Sequence, residues 1–469
     1  VRSPHDWTWW NENHNRMLKH QNIVRKYQSV IHCLNVHQLP EMLEYFMSVN
    51  DSPMRRFELH TIVTRPYLGT HIVPNEILEA VGNKLTDMMP LFRGEEIENV
   101  TNLGYGIARD SGWVIQIAFV LPGEKILARI FRNHKNYSEA DCIEIIESSP
   151  NRVDPKCPLF GTCGGCQYQS VDYNTQLEWK RDQVADSFER IADLKVEVLP
   201  VIQSPKQYGY RSKLTPHYEK PRNETFRKIG FLRYGSRKMI VDVCNCPIAT
   251  DAINQELPSA RESLNTNKKK KGGTLLLRDT LEGVVTDPKQ VVCEKVGDLT
   301  FQFKAGEFFQ NNPFILPTLV DYVVEQAKSE DNNLLVDAYC GGGLFALSAS
   351  KYFKKVIGIE VSREGFDWAC ANALLNRIEN AEFILGDAAS IFDELHDENS
   401  ESSLVIDPPR KGCDENFLAQ TLSFRPKKII YVSCDPATQA RDVHILVNGG
   451  YKIKKVHPFD LFPQTRHVE

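Results

Sequence analysis

The chain of 469 residues has no run of 18 apolar residues, which excludes a long apolar membrane-spanning helix. It does not open with a charged stretch, an apolar stretch and a small-residue cleavage site, so no secretory leader is read. The first residue is Val1 rather than methionine, which points to a processed or trimmed start. Net basic charge is also missing. There are 56 Lys and Arg against 61 Asp and Glu, a balance of −5, and that sum alone would not suggest a nucleic-acid partner. The twelve cysteines lack the even spacing of a disulfide framework, and three of them fall between residues 157 and 166. This pattern suits metal-binding or catalytic thiols in a reducing compartment, taken as the cytoplasm.

What is present divides the chain into four stretches. Residues 1–86 hold seven of the thirteen histidines and three of the six tryptophans, but no Cys/His pair stands at ligand spacing with a second pair behind it. They are read as an extension of unknown role. Residues 87–150 show short β-rich runs at Glu96–Leu103, Trp113–Val120, Lys125–Arg132 and Cys142–Ser148, broken by glycines and by Pro122–Gly123. They predict a small barrel of the oligonucleotide-binding type. Residues 151–305 predict a helix over 171–195, with Leu177, Val184, Phe188 and Ile191 on one face, and then a β-rich central domain. From 306 to 469 strands and helices alternate, which predicts a doubly wound α/β domain with a mostly parallel sheet.

In that last domain Asp337-Ala338-Tyr339-Cys340-Gly341-Gly342-Gly343 follows a strand and precedes a helix. Leu344 and Phe345 come next, not the Lys and Ser/Thr that a triphosphate loop requires. The next strand ends at Glu360, where a carboxylate can accept from both ribose hydroxyls of a nucleoside. Asp387, after the third strand, is placed to meet an adenine amino group. An adenosine-type ligand without polyphosphate points to S-adenosylmethionine. Strand four ends in Asp407-Pro408-Pro409-Arg410, and strand five in Val432-Ser433-Cys434-Asp435-Pro436, so Cys434 stands at the sheet edge where ligands bind. A thiolate there can add to C6 of a uracil and make C5 nucleophilic toward a methyl donor. A base must then remove the C5 proton, and Glu469 in His467-Val468-Glu469 is the candidate.

These strings, with Phe309-Gln310 and Ile359-Glu360, resemble the RNA 5-methyluridine methyltransferases, relatives of the tRNA uridine-54 enzymes. The resemblance implies a Rossmann-like methyltransferase domain. It makes Cys434 the nucleophile and Glu469 the proton acceptor, with Gln310, Tyr339, Glu360 and Asp407 lining the methyl-donor site. It also implies that the small barrel is an RNA-binding TRAM domain. The chain departs from some relatives at Leu344, where they carry Asn, and it stops at Glu469, where the family usually runs on as a final strand.

Cys157, Cys163 and Cys166 need a fourth ligand. Cys246 is the best choice and Cys244 the rival. Four thiolates can hold zinc or a [4Fe–4S] cluster, and resemblance to the cluster-bearing branch of the family favours the latter. Residues 201–240 carry ten Lys and Arg against two Glu, interleaved with aromatics. Tyr210, Arg211, Lys213 and Arg233 are therefore expected to contact RNA through phosphate neutralisation and base stacking. The expected protein is a monomeric RNA uracil-C5 methyltransferase with no membrane contact, acting on tRNA. Ribosomal RNA, cytosine-C5 methylation and a non-catalytic RNA-binding iron–sulfur protein are the alternatives.

Overall fold

The computed structural model describes residues 91–219, 228–266, 272–329, 333–387 and 402–469. The N-terminal stretch to residue 86 and the Lys268–Lys271 run lie outside the described residues. Among the described residues the chain divides into two compact units, one holding 91–95, 108–117 and 125–146, the other holding 96–107, 118–124 and the described part of 147–469.

In the first unit β1 (Leu91–Glu96), β5 (Lys125–Asn133), β6 (Tyr137–Glu147) and β4 (Trp113–Ala118) pair in that order. β4 and β6 run parallel, with Val114 opposite Tyr137. Ile115, Ile117, Ile126, Ala128 and Ala140 are buried at alternate positions, the period-two pattern of a sheet with one covered face. In the second unit, β2 (Asn99–Val100) pairs with the start of β3 (Tyr105–Asp110). Buried Glu124 pairs there with Arg152, and the ring of Phe119 packs edge-on against Phe160 and Tyr234.

Within the second unit, α1 (Tyr173–Ala192) is capped by Asp172, whose carboxylate accepts from Thr175 N–H at 3.1 Å. Its inward face is not the predicted one. Val184 and Phe188 are buried, but so are Gln176, Lys180 and Gln183, while Ile191 is 47% exposed. The central β-rich region follows. β7 (Lys213–Leu214), β12 (Leu277–Thr280) and β13 (Gly283–Val285) form one small sheet. β8 (His217–Tyr218), β9 (Ile229–Leu232), β10 (Ile240–Asp242) and β11 (Gly273–Thr274) form another, and α2 (Asp251–Thr266) packs on β12 and β13 through Ile253 and Leu257. The hairpin of β14 (Val291–Val296) and β15 (Leu299–Lys304) comes before residue 306, yet its Val296 and Phe301 belong to the core of the following α/β domain.

That domain contains α3 (Leu316–Ala327), β16 (Leu334–Asp337), α4 (Leu344–Ala349), β17 (Lys355–Glu360), α5 (Arg363–Leu375), β18 (Ala381–Leu385), β19 (Ser402–Ile406), α6 (Glu415–Phe424), β20 (Lys428–Tyr431) and α7 (Pro436–Asn448). The five strands are all parallel, in the order β18-β17-β16-β19-β20. Leu335, Val356 and Val405 face α3 and α4. Their neighbours Val336, Ile357 and Leu404 face α6 and α7. Both sheet faces are therefore covered, which explains the continuous apolar runs of β16 and β19. The order reverses between β16 and β19, and the crevice outside the carboxyl ends of those strands is where such sheets bind ligands. Among the described residues no helix is long and apolar enough to cross a membrane.

Candidate active site

The turn after β16 is anchored to both neighbouring strands. Ala338 N–H donates to Val405 O and Cys340 N–H to Ile359 O, each at 3.0 Å. Gly343 has φ +90°, a left-handed conformation that suits glycine, and a Cβ there would stand 3.0 Å from Leu347. Glu360 lies across from this turn. Its carboxylate accepts from Gly341 N–H at 2.9 Å and Ser362 N–H at 2.7 Å. Gly365 makes room for it, since a Cβ at that position would meet Glu360 Cγ at 2.9 Å. Asp337 is fully buried, and burial pushes its carboxyl up to about 7. The same acid feels the charges of Asp407 and Glu360. Tyr339 lies within reach of the Asp387 charge, and burial raises its hydroxyl well above the ordinary range. The predicted donor-site residues Tyr339, Glu360, Asp387 and Asp407 thus gather at the carboxyl ends of adjacent strands. Gln310 stands half-buried on the connection from β15 to α3 instead, not at a strand end.

A polar residue with no sequence signal holds the glycine turn in place. Asn372 on α5 is 1% exposed. Its amide donates to Gly342 O at 3.0 Å and Gln302 O at 3.2 Å, and its oxygen accepts from Gln302 N–H at 2.7 Å. The turn, the hairpin and α5 are tied together through this one side chain.

Cys434 sits between β20 and α7. Asp435 caps α7 by accepting from Ala437 and Thr438 N–H, and Pro436 occupies the first turn. The Ser433 hydroxyl donates to Asp435 O at 3.1 Å and accepts from Asp435 N–H at 3.2 Å, which holds the bend that presents the thiol. The thiol faces Glu469, Arg410 and Asp407. Burial raises it to about 11; Glu469 and Asp407 push the same way, and Arg410 opposes them. Burial raises Glu469 to about 8, with Asp407 adding to the shift and Arg410 reducing it. Burial alone lifts Asp407 to about 7. Asp407 therefore joins the thiol and Glu469 on one side to Asp337 and the donor-site carboxylates on the other. The sequence reading gave Arg410 only as the end of the Asp407–Arg410 string; its place beside the thiol appears only in three dimensions.

Glu469 ends a segment with little regular structure that is held by remote polar groups. Its backbone exchanges two hydrogen bonds with Phe459, at 2.8 and 3.1 Å. Asn312 donates to Leu461 O and Gln176 bonds Gln464, while Lys180 reaches Phe462 O and pairs with buried Asp460 at 2.5 Å. His467 is pushed down to about 4, first by burial and then by Arg410, Arg466, Lys180 and Arg211.

The expected RNA contacts need correction. Tyr210 is fully buried and its hydroxyl donates to Pro463 O at 2.9 Å, so it holds the terminal segment and offers no ring to a base. The Lys213 ammonium donates to Gly306 O and Glu307 O, and burial lowers it to about 8. Arg211 is half-buried, donating to Lys213 O with its guanidinium 5.9 Å from the Phe462 ring centre. Of the four, Arg233 is the exposed one. Several aromatics of this stretch lie inward because its short strands need a core, and Tyr218 is only 8% exposed.

Cys157, Cys163, Cys166 and Cys246 act electrostatically on one another. Burial raises Cys166 to about 12 and Cys246 to about 11. Cys244 stays outside this set, exposed, with its sulfur 3.8 Å from Asp242. Among the described residues, no group of three or more His, Cys, Asp or Glu stands at metal-holding spacing.

The chain is similar to known proteins. Residues 282–469 match the family described as tRNA (Uracil-5-)-methyltransferase. The tRNA (uracil(54)-C(5))-methyltransferase of Schizosaccharomyces pombe is 40% identical over 431 residues, covering 85% of this chain and 82% of that protein. Its namesake in Saccharomyces cerevisiae is 34% identical, covering 89% and 80%. The crystal structure of Pyrococcus abyssi tRNA (uracil-54, C5)-methyltransferase in complex with S-adenosyl-L-homocysteine has the same fold, with a TM-score of 0.62 at 24% identity over 80% of this chain and 98% of that one. With a parallel sheet of this order, a thiol and a carboxylate meeting at its ligand-binding edge, and identity of this extent, the chain belongs to the tRNA (uracil-5-)-methyltransferase family.

Proposed function

We propose that the protein methylates C5 of uridine 54 in tRNA, using S-adenosylmethionine and a transient bond between Cys434 and C6 of the target base. The observation that carries this reading is the meeting of Cys434, Arg410 and Glu469 around Asp407, next to the carboxylates that suit an adenosine ligand. The relatives named for tRNA uridine 54 favour that substrate over ribosomal RNA.

The donor site fits its ligand in kind. The turn has no lysine to meet a phosphate, and Glu360 retains acceptor capacity beyond its two backbone N–H groups. Glu360 would hold the ribose hydroxyls and Asp387 the adenine amino group, with Gln310, Tyr339 and Asp407 lining the rest. S-adenosylmethionine, when bound, supplies an electrophilic methyl group.

The chain's own residues do the remaining work. The Cys434 thiolate, favoured by the Arg410 guanidinium, adds to C6 of the uracil ring, and electron density moves toward O4 and C5. C5 then takes the methyl group, leaving a saturated carbon that still carries its proton. Ionised Glu469 accepts that proton. The C5 electrons reform the ring double bond and expel the thiolate from C6, releasing 5-methyluridine. A uridine stacked inside a folded loop must turn outward to reach the thiol.

Trapping on 5-fluorouridine tRNA tests the reading, because fluorine cannot leave as the proton does. The native protein is expected to form a denaturant-stable adduct. Cys434→Ala is expected to form none, and equal trapping by both would remove the nucleophile role. On ordinary tRNA, Glu469→Gln should accumulate adduct and turn over slowly.

The four interacting thiols are, in this reading, ligands of a [4Fe–4S] cluster that ties the central region together, since methyl transfer needs no redox step. Four cysteines are the ligand type and number that such a cluster takes, although among the described residues they do not stand at metal-holding spacing. Purified anaerobically, the protein should contain about four irons and four sulfides per chain, with much less in Cys166→Ser; iron-free native protein would refute the assignment.

A further inference from the structure

We propose that Asp442 is a positioning residue for the catalytic thiol: from α7 it ties the loop carrying Arg410 to the strand carrying Cys434, and so keeps the guanidinium facing the sulfur. The inference deepens the proposed function, because its consequence matters only if Cys434 is the nucleophile.

Asp442 is completely buried. One carboxylate oxygen accepts from Cys413 N–H at 2.8 Å and from the Tyr431 hydroxyl at 2.6 Å. The other accepts from Arg441 at 2.7 and 2.8 Å. Cys413 closes the loop that begins at Arg410, and Tyr431 is the last residue of β20, from which the chain runs on to Cys434. One side chain therefore bonds both limbs of the site.

The neighbours of Asp442 on α7 reinforce the tie. Arg441 also donates to the carbonyls of Lys411 at 3.0 Å and Cys413 at 3.2 Å. Thr438 donates to Arg410 O at 3.2 Å, and Gln439 donates to Tyr431 O at 3.0 Å. The loop is drawn hard against the helix at Gly412. Its φ is +75°, and a Cβ there would lie 2.6 Å from both the Arg441 guanidinium and the Asp442 carboxylate. The carbonyls of Arg410, Lys411 and Cys413 and the N–H of Cys413 are all bonded to α7, so the loop between Arg410 and Cys413 has little freedom to drift.

The chemistry gives that restraint a purpose. The nucleophile is the thiolate. Glu469 and Asp407 face Cys434 and disfavour its ionised form, whereas Arg410 favours it. Arg410 is itself exposed, so its position depends on how its backbone is held. Around Asp442 the charged and titratable groups are Arg441, Tyr431 and Cys413. None of them faces Cys434, so Asp442 acts on the thiol by holding the loop.

The test is the pH dependence of Cys434 alkylation by iodoacetamide in the full chain without RNA, followed by mass analysis of the peptide that contains Cys434. Arg410→Ala is expected to move the midpoint to higher pH and slow alkylation at neutral pH about tenfold, one unit of thiol ionisation. Asp442→Asn should shift it in the same direction, and adding it to Arg410→Ala should shift it no further. Thr438→Val, the loss of one hydroxyl, should give a smaller shift in the same sense and carries the test if Asp442→Asn does not fold. An unmoved midpoint in the folded α7 variants, or additive shifts in the double variant, would overturn the proposal. Failure to trap 5-fluorouridine tRNA with these alkylation shifts intact would remove the proposed function and leave the positioning role standing.

Discussion

Glu469 and Cys434 share one electrostatic environment, and this gives the reaction a direction in pH. Burial raises Glu469 to about 8, so near neutrality much of it holds a proton and cannot take another. Its ionised, proton-accepting fraction grows as pH rises through about 8, and the thiolate fraction of Cys434 grows over the same range because its midpoint lies higher still, at about 11. Single-turnover release of 5-methyluridine tRNA from the adduct should therefore rise steadily between pH 7 and 9; a flat profile would mean that neither thiolate formation nor proton removal by Glu469 limits it. At this scale the sequence was legible where a residue sits in an informative string, as Cys434 does before Asp435-Pro436 and Glu469 does after His467-Val468. Asn372 and Asp442 gave no such signal, since their roles consist of partners elsewhere in the chain, and Arg410, though it ends a quoted string, gave none for its place beside the thiol. Tyr210 misled for a related reason: an aromatic beside a cation reads as a stacking surface, but here the ring is fully buried.

At the scale of elements, α1 shows why helical periodicity alone was insufficient. The pattern predicted a helix over 171–195, and the structure has one at Tyr173–Ala192. Its inner face did not follow from the pattern, because Lys180 occupies a core position by pairing with Asp460 and with Phe462 O. Burial lowers the Lys180 ammonium while Asp460 opposes the shift, so charge at this position depends on its partner. Lys180→Met should leave Asp460 buried and unpaired, costing about 3–5 kcal/mol in urea unfolding monitored by circular dichroism. Lys180→Met combined with Asp460→Leu should recover much of that loss. The central strands β16 and β17 were readable because both of their faces are covered and their apolar residues are buried, whereas edge strand β18 is only partly covered. The strands of 87–150 were less so: β3 went unrecognised because Gly106 and the polar Arg109-Asp110 disguise its alternation.

For the whole molecule, a net charge of −5 means that RNA affinity must come from a local surface. Within the basic stretch 201–240, Arg211 and Lys213 are half-buried and engaged with carbonyls. Arg233, Arg237 and Lys238, by contrast, stand exposed on the turn between β9 and β10. Reversing Arg233 and Lys238 to Glu should weaken tRNA binding and reduce the slope of log affinity against log salt by about two, measured by filter binding across a salt series. Unchanged affinity would place the RNA surface elsewhere. The methyltransferase domain was legible as a whole because its strand ends carry the chemistry. Central-region anchoring of the terminal segment was not, since Gln176–Gln464 and Tyr210–Pro463 join residues hundreds of positions apart.

The paired backbone bonds between Phe459 and Glu469 have one more consequence. They clasp the main chain at the final carboxylate, so the length of that side chain alone sets how far the acid reaches. Aspartate would preserve the charge but fall one methylene short, and the clasp leaves no slack to make up the distance. Glu469→Asp should therefore behave in turnover much like Glu469→Gln, an acid of the right kind stranded just beyond its target.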